Sequence, residues 1–252
     1  MIYLERPKSP PNALITNAAQ WKSALIDAVN QYGGYKSIPK DLKEALIGHY
    51  RHDEIKDALF KMSIYKCAFC ESKPGESGNI EVEHFAPKSE YPELTFEWGN
   101  LLPVCRKCNG AKGNLDTKSY PIVNPCEVDP EDYFEYESLF IIPKKDQQVK
   151  TEADRTIQEV DLNSPRLFKG RADLLVSLSA YIVELNNWLS ELKNLESGRA
   201  RHNRIIKLNN SLELIESLKT SEAKYSAFTI AFLKNNTIYE EAKNLVNSEL
   251  LT

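Results

Sequence analysis

Two C-x-x-C pairs, Cys67/Cys70 and Cys105/Cys108, constrain this chain more than any other feature. Without a secretion signal, cysteines at this spacing read as zinc ligands before they read as disulfides. Four thiolates suit tetrahedral Zn²⁺ and leave no coordination position open, so such an ion would staple the chain without doing chemistry. The pairs are separated by 34 residues, more than a simple zinc ribbon spans, so further structure must fold inside the gap. Cys126 stands apart and reads as a small apolar filler.

Inside the gap lies Asn79-Ile80-Glu81-Val82-Glu83-His84-Phe85-Ala86-Pro87. Ile80, Val82 and Phe85 mark a short strand running into a turn. Glu83 and His84 would face opposite ways within a strand but can converge at its end. A carboxylate beside a histidine offers a hard oxygen ligand and a general base titrating near neutrality. Asn100 follows 16 positions after His84, and its side chain can tie a loop by bonding backbone groups on both sides. Cys105-Arg106-Lys107-Cys108-Asn109-Gly110-Ala111-Lys112-Gly113 is expected to open a helix. Asn109 would supply a second oxygen ligand beside Glu83. Lys112, with help from Arg106 or Lys107, could reach a phosphate.

The order C-x-x-C, Glu-His, Asn, C-x-x-C-Asn, x-x-Lys-Gly resembles the HNH (ββα-metal) nuclease family over about 50 residues. The resemblance implies His84 as the base that deprotonates water, Glu83 and Asn109 as ligands of one divalent ion, and Asn100 as the residue orienting the loop. It also implies products ending in a 5′-phosphate and a 3′-hydroxyl. Two positions depart from the family pattern. Glu83 replaces the commoner Asp or His before the base, and Asn109 replaces His at the last position. Both substitutes offer oxygen, which favours Mg²⁺ or Mn²⁺ in the catalytic pocket over softer ions.

The rest of the chain reads mainly as helix. Residues 1–66 form an expected helical N-terminal segment. Its first helix is capped at Asn17 and runs to Gly33-Gly34; its second starts near Pro39-Lys40-Asp41 and breaks near Gly48. Residues 67–126 hold the zinc-stapled module. Residues 127–163 are a connector with short strands, the β-like run being 133–142. A C-terminal helical bundle occupies 164–252, opened by the Ser164-Pro165 start signal. Leu174, Leu178, Ile182, Leu185 and Leu189 give its first helix an apolar stripe, and helices are expected over 199–219, 221–234 and 237–250. The fold class is therefore mainly α with a small α+β insert. His49, His52 and the basic run Arg199, Arg201, His202, Arg204, Lys207 read first as solvated helix faces.

Composition limits the alternatives. With 32 Lys+Arg against 36 Asp+Glu the net charge is −4, unlike a protein that coats DNA by neutralising phosphate. A nuclease needs only local positive charge, or a partner that supplies it. No apolar run nears the ~20 residues of a membrane span, and the first residues carry no signal-peptide stretch, so a cytoplasmic location is expected.

A wider resemblance covers the whole chain. Ile2-Tyr3-Leu4-Glu5-Arg6-Pro7 with Pro10-Pro11, Val82 to Lys88, Tyr91 to Leu102, Asn124-Pro125 with Asp129-Pro130, and Leu162-Asn163 with Arg166-Leu167 resemble the HNH subunit of Septu-type anti-phage systems, also used as a retron effector. That resemblance implies an ATPase partner restraining the nuclease until infection, with DNA or tRNA as target. Two other readings stay open on the residues alone: a stand-alone restriction-type HNH enzyme, and a non-catalytic zinc module that binds a partner or nucleic acid.

Overall fold

The computed structural model of the chain describes residues 1–75, 78–196 and 198–250. It divides into two compact units, residues 1–135 with 141–164 and residues 136–140 with 165–252. As the sequence indicates, the architecture is mostly helical with small two-stranded sheets.

The first unit begins with α1 (Asn12–Gln31), α2 (Lys40–Ile47) and α3 (Asp53–Met62). Helix α1 starts at Asn12, ahead of the expected cap. Asn17 lies inside it, with Nδ2 donating to Ala13 O at 2.9 Å. The start is set by Pro11, whose extended backbone precedes the first turn, and by α3. Glu54 accepts from the orphan N–H of Ala13 at 2.8 Å, a cap supplied from 41 residues away. Between α2 and α3, residues Gly48–Arg51 tighten into a 3₁₀ turn where the break was expected. His52 then caps α3, its Nδ1 accepting from Glu54 N at 3.3 Å.

Strand β1 (Ile80–His84) pairs antiparallel with β2 (Leu101–Cys105), Ile80 opposite Cys105 and His84 opposite Leu101. Helix α4 (Arg106–Lys112) follows β2 without a connecting loop. It stops at Gly113, whose φ of +53° favours glycine. Each strand gives one residue to the core of the N-terminal helices, Val82 from β1 and Leu101 from β2. Val82, Phe96 and Leu101 belong to one cluster with Leu25, Ile55 and Leu59 of α1 and α3. The strands are thus held by the N-terminal helices as well as by each other.

The expected β-like run becomes β3 (Phe134–Glu137) and β4 (Phe140–Pro143), a second two-stranded sheet. The connector also contains α5 (Gln147–Glu159), where the sequence reading had no helix. Its buried face is thin: Ala153 and Thr156 within the helix, then Val160. Val149, Ala153, Ile157 and Val160 nevertheless recur at helical spacing, the signal by which this helix could have been found. Its start is fixed by Asp146, whose carboxylate accepts from Gln148 N at 2.9 Å.

The second unit contains α6 (Pro165–Leu192), α7 (Arg199–Ser217), α8 (Ser226–Leu233) and α9 (Thr237–Leu250). The predicted stripe of α6 is buried along its length, from Leu174 to Leu189. Leu185 and Leu189 join Leu208, Leu212 and Ile215 of α7 and Ala242 and Val246 of α9 in one core. Each leucine removed from water contributes about 1.5–3 kcal/mol, so this packing rather than helix propensity sets the bundle. Helix α8 starts five residues later than expected, after Tyr225 turns the chain through a left-handed conformation. Among the described residues no helix is long and apolar enough to cross a membrane.

Candidate active site and metal centre

The two cysteine pairs meet. The Sγ atoms of Cys67, Cys70, Cys105 and Cys108 all lie within 4.8 Å of one another, and all four residues are buried. Cys67 and Cys70 sit on a turn held by the Glu71 N–H on Cys67 O (3.0 Å) and fastened to β2 by the Ala68 N–H on Pro103 O (2.9 Å). Cys105 ends β2, and Cys108 lies in the first turn of α4. Crowding spreads the thiols apart in acidity. Hydrogen bonds from Cys108, then Cys67, push Cys105 far below the ordinary thiol range, while burial pushes Cys67 well above it. Four sulfurs at this spacing fit one tetrahedral Zn²⁺, which would replace the shared protons with a single charge.

Between the pairs lie β1 and most of β2, and His84 is the last residue of β1. Its ring is buried. His84 Nε2 lies 2.9 Å from Thr95 O. A carbonyl only accepts, so Nε2 carries the proton and Nδ1 holds the lone pair. Tyr50 meets the ring edge-on, centroids 4.7 Å apart. Burial first, then the charge of Lys88, lowers the His84 pKa to about 3, so the imidazole is neutral at physiological pH.

Asn100 closes the loop that begins at His84. Its Oδ1 accepts from Ala86 N at 2.7 Å, and its Nδ2 donates to Ala86 O at 3.0 Å and Leu94 O at 3.1 Å. Its own backbone oxygen accepts from Phe85 N at 2.8 Å. One buried amide therefore fixes both sides of the turn that follows the histidine.

Helix α4 meets β1 through two paired contacts. Asn109 Nδ2 donates to Glu81 Oε2 at 2.8 Å, and Lys112 Nζ donates to Glu83 Oε1 at 2.7 Å and to His84 O at 3.0 Å. Glu81 and Glu83 share one face of the strand, and Asn109 and Lys112 share one face of the helix, so each periodicity supplies two partners. The sequence reading singled out Glu83 but passed over Glu81; the alternation Glu-x-Glu was the available signal. Lys112 is not a solvated side chain. It is fully buried against Glu83. Burial raises the Glu83 pKa, with Lys112 opposing that rise.

Other candidates have local structural partners. His49 stacks on Trp21 at 4.7 Å, and His52 caps α3. Within the basic run of α7, Arg201 binds the Leu192 and Leu195 carbonyls and Glu249, while Arg204 pairs with Glu191 over the Trp188 ring. Cys126 is half-buried, and Arg6 is close enough to oppose the rise that burial gives its thiol pKa.

Comparison with known proteins places the segment that carries the site in a known family. The HNH endonuclease family profile matches residues 67–115. The chain is similar to the Septu protein PtuB of Bacillus thuringiensis, 34% identical over 251 residues, covering 98% of this chain and 87% of that protein. It is also similar to the Septu protein PtuB of Bacillus mycoides (strain KBAB4), 29% identical over 58% of this chain and 59% of that protein. A shorter match, 39% identical over 61 residues, joins 23% of this chain to 19% of protein ea31 of Escherichia phage lambda.

Proposed function

From a chain that belongs to the Septu PtuB family and carries an HNH endonuclease module, we propose a metal-dependent endonuclease that hydrolyses phosphodiester bonds of nucleic acid, working in the cytoplasm as the effector of an anti-phage complex under an ATPase partner. The observation that carries this reading is the state of His84. Its Nε2 is committed to Thr95 O, so the lone pair on Nδ1 is available as a base.

The donors beside it suit a hard divalent cation. Glu83, Asn109 and Glu81 offer only oxygen for ligation, which matches Mg²⁺ or Mn²⁺. Asn109 gives its nitrogen to Glu81, leaving Oδ1 to ligate. The buried ammonium of Lys112 on Glu83 indicates that this position already favours positive charge. When bound, such an ion supplies charge neutralisation at the scissile phosphate and at the leaving 3′ oxygen.

The chain's own residues do the rest. His84 Nδ1 takes the proton of an attacking water, and an arriving phosphate anion favours the imidazolium that forms. Thr95 O holds the ring in its tautomer. Asn100 keeps the turn behind it fixed. The zinc knuckle holds the start of α4, and with it Asn109 and Lys112, against β1. Contacts to phosphate alone give little sequence preference, so the target, DNA or tRNA, would be chosen largely by the partner.

The test is cleavage of DNA and of tRNA by the protein purified with its ATPase partner in Mg²⁺ or Mn²⁺. His84→Ala should abolish cleavage while zinc content and fold are kept. Equal cleavage by His84→Ala, or none by the wild type, would overturn the reading.

A further inference from the structure

Three cations act on the His84 imidazole: Lys88, Lys112 and Arg51. They are not equivalent. Lys112 is already neutralised by Glu83, with its own side chain fully buried. Arg51 shares its charge with Glu44 at 3.3 Å, and both side chains are half exposed. Such a pair contributes little and exchanges readily for another anion. Lys88 makes no ion pair among the described residues, yet of the three its charge weighs most on His84.

One aromatic ring connects these groups. Lys88 Nζ lies 5.4 Å from the centroid of Tyr50 and Arg51 Cζ lies 4.9 Å from it. The same ring meets His84 edge-on at 4.7 Å. Arg51 is tied further by its Nε on Tyr50 Oη at 3.1 Å. Lys88 is fixed from its own side. Two residues before it, Ala86 is clamped by Asn100, and its neighbour Pro87 accepts from the N–H groups of Glu90 and Tyr91. Two cations are therefore held one ring's width from the base.

We propose that Lys88, with Arg51 beside it on Tyr50, seats the scissile phosphodiester against His84, the task that residue spacing alone would give to Lys112. This rests on the nuclease reading above. The ligand is a backbone phosphate, of DNA or of RNA. A compact ammonium and a planar guanidinium can address two non-bridging oxygens while the base faces the water.

The experiment measures binding of fluorescein-labelled 20-base-pair DNA and of labelled tRNA to the full-length chain carrying His84→Ala, which prevents turnover, as a function of salt. Lys88→Met keeps the stem packed on Tyr50 and removes the charge. It should weaken binding about tenfold. It should also reduce the slope of log K against log salt on the preferred nucleic acid by about 0.7–0.9. Lys88→Arg should restore the slope. Arg51→Gln should shift it in the same direction as Lys88→Met. Wild-type slope and affinity in both Lys88→Met and Arg51→Gln would overturn the proposal, and so would Lys88→Met leaving KM at the wild-type value when His84 is intact. If Lys88→Met loses its zinc or its cooperative melt, Arg51→Gln decides alone. Absence of both binding and cleavage in the wild type would instead remove the nuclease reading, and this inference with it.

Discussion

Lys112 Nζ and Glu83 Oε1 form a buried ion pair of 2.7 Å, one helical turn beyond the hydrogen bond between Asn109 and Glu81. The lysine comes from the last turn of α4 and the carboxylate from the same strand face as Glu81. A cation already occupies one side of the carboxylate that a divalent ion would use.

Removing that lysine should therefore act in two opposite ways. Lys112→Ala leaves Glu83 buried and unpaired, at a cost of about 3–5 kcal/mol without divalent ion. The same variant should bind Mn²⁺ more tightly than wild type, because one competitor for the carboxylate is gone. Thermal melts with and without Mn²⁺ read both effects. A variant no less stable than wild type and no more responsive to Mn²⁺ would contradict this account.

Asn100→Ala deletes three side-chain hydrogen bonds and strands the buried backbone groups of Ala86. Unsatisfied buried groups cost about 1–3 kcal/mol each. The variant should lose about 3 kcal/mol in urea denaturation, and cleavage should fall further than stability. A loss under about 1 kcal/mol would mean that the turn is held by something else.

His84 makes the protein sensitive to acid. Its folded-state pKa is lowered to about 3, below the unfolded value, so between those limits the unfolded chain binds more protons. Stability from this group is present above the unfolded pKa of about 6.5 and is lost as pH falls toward the folded one. His84→Gln should flatten the decline of stability between pH 6 and 5 by up to about 1.4 kcal/mol per pH unit. Identical slopes for variant and wild type, at equal zinc content, would show that the ring titrates normally.

Zinc removal should unfold the module rather than merely silence it. Cys67→Ser should lose bound zinc and cooperative melting together, since a four-cysteine ion contributes folding free energy directly. Atomic absorption and calorimetry on the same sample check this. Full stability without zinc would overturn the knuckle assignment.

What could be read from residues was the part where chemistry fixes spacing. Two C-x-x-C pairs must bring their four thiols together, and the 3.6-residue stripe of α6 must bury itself; both are as expected. What could not be read depended on distant partners. Glu54 caps α1 from another helix, so Asn17 looked like the better start. Lys112 looked available because its partner Glu83 is 29 residues away. Glu81 was overlooked although the strand's two-residue repeat sets it beside Glu83. Helix α5 was legible in principle, since Val149, Ala153, Ile157 and Val160 recur at helical spacing, but that stripe is interrupted by many polar residues.

The cluster that joins Leu25, Ile55 and Leu59 to Val82 and Leu101 has a kinetic meaning. Amide protons of α3 and β1 should exchange with solvent as one cooperative block, at the rate of the whole unit's opening. A fragment starting at residue 67 would leave Val82, Phe96 and Leu101 without their apolar partners. Damage to α1 or α3, far from any reacting atom, would then surface as a nuclease that is degraded before it is inactive.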